Sequence, residues 1–368
     1  MNILIFSWRG VGHPNSGGAE IATHEHSKAW IKAGHKVTLF SSYYKGCKKE
    51  ELVDGVQIIR QGRQLVGVQI AGVFWYLFRR HEKFDIVVDQ FHGIPFFTPL
   101  YVKTKILAYI HEVATQVWKT NELPRPYNLI AAYTGPIVEP LVFKLYKKID
   151  FLTVSDSTKK DLIGFGVNKT KITVIENGVI TVKVKIVKKE KIITFLGALS
   201  RDKGVEDSIR ILAEVLRKDE GWKLKIVGKG NQEYISKLKS TAKELGINKN
   251  VEFTGYVAER KKFEILARSF CLVNPSIHEG WGLVNIEANS VGTPVFGYKV
   301  KGITDSVVDN NTGILVDIGD VRQTAMEMVK LQSDKKRYET MSQNCLKWSN
   351  KFSWKKSTKE SLELIESI

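Results

Sequence analysis

The stretch Pro275-Ser-Ile-His-Glu-Gly-Trp-Gly-Leu-Val-Asn-Ile-Glu287 places two carboxylates, Glu279 and Glu287, eight positions apart around a Gly-Trp-Gly turn. The apolar run 271–274 before it predicts a buried strand, and residues 283–290 predict a helix with an apolar side. Glu279 then lies on the strand-to-helix turn, and Glu287 lies about one turn into the helix.

The start of this predicted helix suits an anion. The backbone N–H groups near Trp281, Gly282 and Leu283 point out of the helix N-terminus, where the helix dipole favours negative charge. Gly280 and Gly282 have no Cβ, so a ligand can come close to the backbone. The sequence therefore predicts a diphosphate at this turn.

The two carboxylates suit sugar hydroxyls better than phosphate. Glu287 could accept hydrogen bonds from paired ribose hydroxyls, since a carboxylate accepts from two donors at once. Glu279 would be repelled by a phosphate, so a sugar hydroxyl is its expected partner. The spacing alone is equally consistent with two solvated first-turn acids that stabilise the helix slightly.

Length and composition predict two domains with large cores, because the chain has 368 residues of which 43% are hydrophobic. Cys47, Cys271 and Cys345 are scattered, which indicates a reducing compartment and neither disulfides nor a zinc site. No apolar run reaches membrane-spanning length, and residues 1–6 resemble a first strand rather than a signal peptide. We therefore expect a cytoplasmic protein.

The formal net charge of +17 favours anionic partners such as nucleotides, nucleic acid or an acidic membrane surface. No RNA-recognition, zinc-finger or KH signature accompanies the charge, so nucleic acid is not an expected partner. Residues 73–78 place aromatic side chains before Arg79 and Arg80, as in segments that dock on membranes. A helix packed on a sheet is the favoured interpretation of this run.

Strands that alternate with helices predict a parallel, doubly wound α/β sheet in each half of the chain. In the first half, strand 2–7 leads into the glycine-rich loop 8–18 and a helix near 19–33. The loop lacks G-x-G-x-x-G, so dinucleotide binding is not supported. Gly17 and Gly18 could let a phosphate or sugar approach, or could form an ordinary flexible connection.

Ligands of parallel sheets bind at the carboxyl ends of the strands. His111 follows the predicted strand 106–110, where it is either a ligand contact or a capping or hydrogen-bonded structural histidine. Gly228 and Val257 lie on loops of the second half that could meet a nucleotide base.

Arg201 and Lys203 follow the first strand of the second half, 191–196, at a position where cations can hold a diphosphate. Taken alone, they are better explained as surface charge. No Asp-x-Asp metal-binding pair occurs in the chain. A departing diphosphate would then depend on fixed cations and helix amides, each of which typically lowers the barrier by a few kcal/mol.

Together these motifs resemble the GT-B fold glycosyltransferases of the large retaining family four, over essentially the whole chain. The strongest motif is the E-x7-E element, Glu279 to Glu287, within Pro-Ser-x-x-Glu-Gly-x-Gly-Leu. The supporting motifs are Gly17-Gly18-Ala19-Glu20, the strand-end His111, Val174–Val179, Lys203-Gly204, Gly292–Val295 and Gly313–Val316.

The resemblance implies two Rossmann-like domains that face a central cleft, and a last helix that crosses back onto the first domain. We expect an acceptor-side domain at 1–182, joined by the crossover helix 352–368, and a nucleotide-sugar domain at 183–351. A composition shift at 177–190, towards alternating lysine and valine, marks the predicted linker.

For the second half, the resemblance implies that Glu279 contacts the donor hexose and Glu287 the ribose. The backbone amides of Gly282 and Leu283 would hold phosphate, with Lys203 neutralising its charge. For the first half, it implies that His111 lies by the donor sugar. The Gly17-Gly18 loop would lie beside the diphosphate and the acceptor.

The implied activity is retaining, metal-independent transfer of a hexosyl unit, glucose- or mannose-type, from a UDP- or GDP-sugar. The acceptor would be a hydroxyl on a glycan, glycolipid or lipid-linked oligosaccharide, and no cofactor is expected. The implied location is the cytoplasm, with possible attachment to an anionic surface on the inner face of the cell membrane. A lipid-linked acceptor would suit such attachment.

Three positions depart from the family pattern. Ala198 stands where arginine is usual, and Arg201 could replace that charge from a different backbone position. Glu176 stands where proline usually precedes Asn-Gly, and Trp281 replaces the commoner phenylalanine.

Other functions remain open at this point. A nucleotide-sugar epimerase and a phosphorylase can share the two-domain fold, although no Schiff-base lysine site is identifiable for a pyridoxal-dependent phosphorylase. A basic nucleic-acid-binding or membrane-binding protein with a vestigial cleft is the alternative from another class.

Overall fold

The computed structural model describes residues 1–64, 66–115, 118, 125–180 and 187–368. The chain divides into two compact units: unit 1 comprises Met1–Gly178 and Trp354–Ile368, and unit 2 comprises Val179–Ser353. The predicted domain boundary at 182/183 and part of the lysine-rich linker lie outside the described residues.

Apolar runs form the strands, as expected for parallel sheets that are covered on both faces. The strands of unit 1 are β1 (Asn2–Ser7), β2 (Lys36–Ser41), β3 (Glu50–Val53), β4 (Val56–Arg60), β5 (Ile86–Gln90), β6 (Lys105–Ile110), β7 (Asp150–Thr153) and β8 (Ile172–Val174). Those of unit 2 are β9 (Glu190–Leu196), β10 (Lys223–Val227), β11 (Val251–Gly255), β12 (Ser269–Asn274), β13 (Val295–Tyr298) and β14 (Gly313–Val316).

Both sheets are doubly wound, which confirms the predicted fold class. The unit 1 order is β3-β4-β2-β1-β5-β6-β7-β8, and the unit 2 order is β11-β10-β9-β12-β13-β14. The edge strand β3 pairs antiparallel with β4, while β1 pairs in parallel with both β2 and β5. The strand order therefore reverses between β1 and β5 in unit 1 and between β9 and β12 in unit 2.

Helices connect the strands in both units. They are α1 (Gly18–Lys32), α2 (Val66–Phe78), α3 (Tyr127–Leu145), α4 (Asp156–Gly164), α5 (Val205–Leu216), α6 (Gln232–Glu244), α7 (Glu259–Arg268), α8 (Leu283–Asn289), α9 (Ile303–Ser306), α10 (Val321–Ser333), α11 (Lys335–Ser349) and α12 (Trp354–Ser367). Along the described part of the chain, none of the helices has both the length and the hydropathy that crossing a membrane requires.

The last helix, α12, packs on α1 and belongs to unit 1, as the resemblance implied. Two side chains of α1 make buried hydrogen bonds with serines of α12. His26 Nε2 lies 3.0 Å from Ser357 Oγ, and Trp30 Nε1 donates to Ser361 Oγ over 3.1 Å. These bonds fix the C-terminal helix to the first helix of the chain.

The aromatic run before Arg79 lies in α2, and its side chains divide between core and solvent. Trp75 is buried and contacts the rings of Phe40 and Phe84, which confirms core packing for this side chain. Phe74 and Phe78 lie on a different face of the same helix and are exposed.

Candidate functional site

A series of buried side-chain hydrogen bonds fixes the loop between β12 and α8. Asn274, the last residue of β12, donates through Nδ2 to Asn285 Oδ1 over 2.9 Å. Ser276 Oγ donates to Asn274 Oδ1 over 2.7 Å, and Asn285 Nδ2 donates to Ser306 Oγ over 2.9 Å. All four side chains are buried, so a shift of the loop would leave polar groups unpaired.

The turn into α8 depends on Gly282. This residue has φ +80° and precedes the first helical residue, Leu283, where the sequence predicted the helix to begin. A Cβ at Gly282 would lie 2.5 Å from Asn285 Nδ2, within this series of buried hydrogen bonds. In the described part of the chain, no acceptor pairs with the backbone N–H groups of Gly282 and Leu283. Gly282 is buried and Leu283 is half-buried, and neither N–H group has a partner among the described residues that a ligand would have to displace.

Lys203 and Glu279 form an ion pair, with 2.9 Å between Lys203 Nζ and Glu279 Oε2. Their two loops are also joined through the backbone, because Ile277 N–H donates to Asp202 O over 2.9 Å. Gly204 allows this close approach: a Cβ there would lie 2.1 Å from Pro275 O. The structure thus brings together two predicted site residues that are far apart in sequence.

Arg201 lies on the same short 3-10 turn as Lys203 and is exposed. It makes no ion pair within the described chain. Its guanidinium is therefore available to an anion, but no residue that the structure describes in unit 2 orients it.

Glu287 lies on α8, where Lys262 of α7 contacts it with 2.7 Å between Lys262 Nζ and Glu287 Oε1. Lys262 Nζ is also 2.7 Å from Glu259. Burial raises the pKa of Glu287, and the charge of Lys262 partly offsets this effect. Burial would lower the pKa of Lys262, but the two carboxylates raise it overall. Lys262 was not predicted, since no sequence motif distinguishes it from the other cations of α7.

The remaining residues of the turn have separate roles. The Trp281 side chain is buried, and its ring meets Phe352 edge-on with 5.2 Å between centroids. The backbone at Glu279 and Gly280 packs against Gly302, where a Cβ would lie 2.1 Å from Glu279 O. Only the backbone of Trp281, and not its indole, can therefore serve the predicted ligand.

Gly228 has a structural reason to be glycine. It has φ +150°, and a Cβ there would lie 1.8 Å from Gly197 O. Its N–H donates to Gly255 O over 3.0 Å, which joins the ends of β10 and β11. Val257 follows β11 and is half-buried, while the neighbouring Tyr256 is 71% exposed. The structure places both predicted base contacts at the carboxyl edge of the sheet.

The predicted residues of unit 2 cluster where the strand order reverses. Lys203 follows β9 and Glu279 follows β12, and these two strands are neighbours in the sheet. In open parallel sheets, ligands bind in the crevice outside the carboxyl ends of the strands at such a switch point. The ion pair therefore lies where a ligand of unit 2 is expected.

In unit 1, the Gly17-Gly18 loop leads into α1. The Gly17 N–H donates to Glu20 Oε2 over 2.6 Å, and Arg9 Nε donates to Glu20 Oε1 over 2.9 Å. The Gly17 amide is therefore already paired within the protein. A Cβ at Gly17 would meet nothing closer than Glu20 Oε2 at 3.8 Å, so packing within unit 1 does not require glycine at this position.

His111 follows β6, as predicted, and its ring lies 4.3 Å from that of Tyr109. The side-chain amide nitrogen of Gln90 lies 3.3 Å from His111 Nε2, and Gln90 also contacts Thr23 of α1. Burial, assisted by the nearby His26, lowers the pKa of His111 to about 3. The imidazole is thus neutral at physiological pH.

Glu139, a buried acid on α3, was not predicted either. It accepts hydrogen bonds from the Ala114 N–H (2.6 Å), Thr115 Oγ1 (2.9 Å) and Trp118 Nε1 (3.2 Å). These donors all belong to the segment that follows His111. Glu139 therefore fixes that segment to α3, and a single acid within an otherwise apolar helix was the sequence signal.

Two family sequence models match the chain. The model described as "Glycosyltransferase Family 4" matches residues 16–183, and that described as "Glycosyl transferases group 1" matches residues 179–348. The chain belongs to the group 1 glycosyltransferases of family 4. The two matches follow one another along the chain and together include every predicted site residue.

Solved structures share the fold of this family 4 chain. Sucrose-phosphate synthase from Thermosynechococcus elongatus has a TM-score of 0.79 at 17% identity, covering 100% of this chain and 98% of that one. Anabaena HepE, solved in complex with UDP-glucose, has a TM-score of 0.72 at 18% identity, covering 100% of both chains.

A curated relative is the D-inositol 3-phosphate glycosyltransferase of Corynebacterium aurimucosum. It is 30% identical over 168 residues, which are 45% of this chain and 40% of that protein. The chain thus spans less than half of the length of this relative.

Proposed function

We propose that this chain is a retaining, metal-independent glycosyltransferase. It transfers a hexosyl unit, glucose- or mannose-type, from a UDP- or GDP-sugar to a hydroxyl of a glycan, glycolipid or lipid-linked oligosaccharide, without a cofactor. The observation that carries the proposal is the Lys203–Glu279 ion pair at the switch point of unit 2. Anabaena HepE, a protein of the same fold that was solved with UDP-glucose, supports a nucleotide-sugar donor.

Lys203 and Arg201 supply positive charge for the donor diphosphate. The unpaired N–H groups of Gly282 and Leu283 add two donors that need no reorganisation when charge develops on the leaving group. Lys203 holds the Glu279 carboxyl in place through their ion pair, and Glu279 accepts from a hexose hydroxyl. The cation and the acid thus bind opposite ends of the glycosyl phosphate.

Glu287 binds the ribose hydroxyls in this proposal. Its burial disfavours the charged form, and Lys262 compensates by placing an ammonium 2.7 Å away. An ionised carboxylate accepts from two hydroxyls, whereas a protonated one would have to donate to one of them. Lys262 thereby favours the form of Glu287 that suits a diol.

In the transfer step, the bond between the anomeric carbon and the diphosphate oxygen breaks, and a bond to the acceptor oxygen forms on the same face. The acceptor proton passes to the departing phosphate oxygen, so the products are a nucleoside diphosphate and a glycoside. No side-chain general base is required. His111, which is neutral, contributes a hydrogen bond to the donor sugar and not a proton.

We also propose that the enzyme works in the cytoplasm on the inner face of an anionic membrane. The net charge of +17 supports this location, because basic residues near anionic lipid are each worth about 1 kcal/mol of attraction. A lipid-linked acceptor would then be concentrated where the enzyme binds.

A donor screen with mass detection tests the proposal. We expect one UDP- or GDP-hexose to yield a glycosylated product in the presence of EDTA, with the anomeric configuration of the donor retained by NMR. The donor should remain unchanged when acceptor is omitted, apart from slow hydrolysis. Epimerised donor formed without acceptor would contradict the proposal and favour an epimerase.

A further inference from the structure

The helices α2 and α3 cover the same face of the unit 1 sheet. Ile106 of β6 belongs to the core cluster that includes Val68 of α2. Ala108 of β6 belongs to the cluster that includes Val142 of α3. Residues two positions apart on a strand point to the same face. The two helices therefore form one layer, and their outward sides face away from the sheet together.

The outward side of α3 is apolar. Tyr133 is 77% exposed and Ile137 is 69% exposed, in the middle of this helix. The large apolar side chains that α3 exposes are Tyr127, Leu129, Ile130, Tyr133, Ile137, Val138 and Leu141. The only acidic residue of α3 is Glu139, and it is buried. Water therefore meets a continuous apolar stripe with no acidic group.

The outward side of α2 has the same character. Its exposed large apolar side chains are Val66, Ile70, Phe74, Leu77 and Phe78, which recur every three or four positions. No residue of α2 is charged, and the exposed Arg79 and Arg80 follow directly after it. A single monomer rarely exposes so large an apolar area without a partner.

The charges beside these stripes select the kind of partner. Lys144 and the pair Lys147 and Lys148 are exposed at the C-terminal end of α3, so cations flank both stripes. A second copy of this chain would bring another net charge of +17 to the same surface, which opposes self-association. An anionic lipid surface instead offers acyl chains to the stripes and headgroups to the cations.

We propose that the exposed side of α2 and α3 docks in the plane of an anionic membrane. We call it the lipid-docking face, defined by the twelve apolar residues named above for the two helices together with Arg79, Arg80, Lys144, Lys147 and Lys148. This inference rests on the proposed function for its purpose, since it names a lipid-anchored molecule as the acceptor class.

A hydrogen bond connects α3, which carries part of the lipid-docking face, to the segment that follows His111. Glu139 lies on the buried side of α3 and accepts from the Ala114 N–H over 2.6 Å. His111 is only three residues before Ala114 in the chain. Docking of α3 on lipid would thus fix the distance between this segment and the lipid headgroups. The hydroxyl of a lipid-anchored acceptor is found near those headgroups.

Vesicle flotation of the full chain tests the inference. One vesicle set contains equal parts of phosphatidylglycerol and phosphatidylcholine, and the other contains phosphatidylcholine alone. The wild type should float with the first set and only weakly with the second. Tyr133→Ser/Ile137→Asn should lower partitioning onto anionic vesicles by at least about tenfold, because two apolar side chains lose their burial in lipid. Neutralising Lys144, Lys147 and Lys148 with glutamine should lower it by about a hundredfold.

Ile318→Asn is the matched control, because Ile318 is 57% exposed but belongs to unit 2. It should float like the wild type. Equal flotation of the wild type and Tyr133→Ser/Ile137→Asn would overturn the inference. A wild-type dimer in light scattering that this double variant converts to monomer would also overturn it, since the face would then be a protein interface.

Thermal shift with UDP and GDP, measured without vesicles on the same variants, separates this inference from the proposed function. Tyr133→Ser/Ile137→Asn should keep the nucleotide response of the wild type and also its melting temperature without nucleotide, and the unchanged melting temperature shows that the variant is folded. If flotation behaves as expected while no nucleotide or sugar nucleotide binds, the lipid-docking face stands and the proposed glycosyltransferase function fails.

Discussion

The pair of Glu287 and Lys262 shows how much of the site a sequence reveals at the scale of single residues. Glu287 could be proposed as a site residue because it stands eight positions after Glu279 in a motif with glycines. Lys262 was not, because it reaches Glu287 from a separate helix and resembles every other lysine of a basic chain. Burial, which creates the need for that cation, is visible only in the folded structure.

The burial of His26 should make the free energy of unfolding depend on pH. Burial lowers its pKa to about 3, well under the ordinary value of 6.5, so the unfolded chain binds the proton more readily than the folded one. Stability is therefore fully present above about pH 6.5 and is lost as the pH falls towards 3. One such group changes the free energy of unfolding by about 1.4 kcal/mol per pH unit in that window.

Replacement of the ionisable ring tests this expectation. Denaturant unfolding of the wild type should show stability falling between pH 6 and pH 5, and His26→Gln should reduce that slope by about 1.4 kcal/mol per pH unit. Trp30→Phe, which removes the uncharged hydrogen bond from Trp30 to Ser361 of α12, is the control and should leave the slope near that of the wild type. An unchanged slope in His26→Gln would show that His26 can be charged in the folded protein.

Glu139 predicts a link between the stability of unit 1 and turnover. Glutamine at this position keeps one acceptor oxygen for three donors, so at least one buried hydrogen bond is lost. We expect Glu139→Gln to destabilise unit 1 by about 2 kcal/mol. Turnover with a lipid-linked acceptor should fall several-fold.

Affinity for the nucleotide should not change in the same variant, because the predicted nucleotide contacts belong to unit 2. Urea unfolding, calorimetric titration with nucleotide and initial rates measure the three effects. A loss of nucleotide affinity equal to the loss of turnover would show that Glu139 acts on the whole protein and not on the segment after His111.

At the scale of elements, apolar runs predicted the central strands because a strand buried on both faces has few polar positions. Two elements show why other parts of the fold could not be predicted. The edge strand β3 contains Glu50 and Glu51 and lacks a buried run, and its antiparallel pairing with β4 depends on a tight turn. Helix α3 contains Pro136 and Pro140, which argue against a helix in any local reading.

The start of α4 shows why a cap is hard to assign to one residue from the sequence. Asp156, Ser157 and Thr158 are all of residue types that cap helices, but the side chain that accepts from the Thr158 N–H is that of Ser155. Predicted helix starts are uncertain by one or two residues for this reason, since several neighbouring side chains can satisfy the same N–H group.

Adding one methyl group at Gly282, in the turn into α8, should strongly lower the free energy of unfolding. Gly282→Ala places a Cβ 2.5 Å from Asn285 Nδ2 at a backbone φ of +80°. We expect about 2–4 kcal/mol of destabilisation in unit 2 from strain and from disruption of the buried asparagine bonds. Weaker donor binding should accompany it, because the adjacent N–H groups move.

Gly246→Ala separates the backbone strain from the clash. Gly246 has φ +72°, but nothing lies within 4 Å of a Cβ at that position. We expect it to cost about 1 kcal/mol and to leave donor affinity unchanged. If the two alanine variants had equal stability and equal donor affinity, the packing at Gly282 would have no role in the site.

At the scale of the whole molecule, the two units share an architecture but expose different chemistry. Unit 2 gathers charged side chains and free backbone N–H groups at the switch point of its sheet. Unit 1 places a neutral histidine at a strand end and an apolar layer on one side. A donor site on unit 2 and a lipid-docking face on unit 1 are consistent with an enzyme that carries a sugar from solution to a lipid-anchored acceptor.

The most direct test of the donor site is calorimetric titration of UDP- and GDP-sugars into the wild type and two variants. Glu287→Gln removes the carboxylate charge at the predicted ribose contact. Glu252→Gln removes the charge of Glu252, an exposed acid of unit 2 that pairs with Lys225. We expect one donor to bind the wild type and Glu252→Gln equally, and Glu287→Gln at least about tenfold more weakly. No heat with any donor, or equal affinity for Glu287→Gln and the wild type, would contradict the proposed donor site.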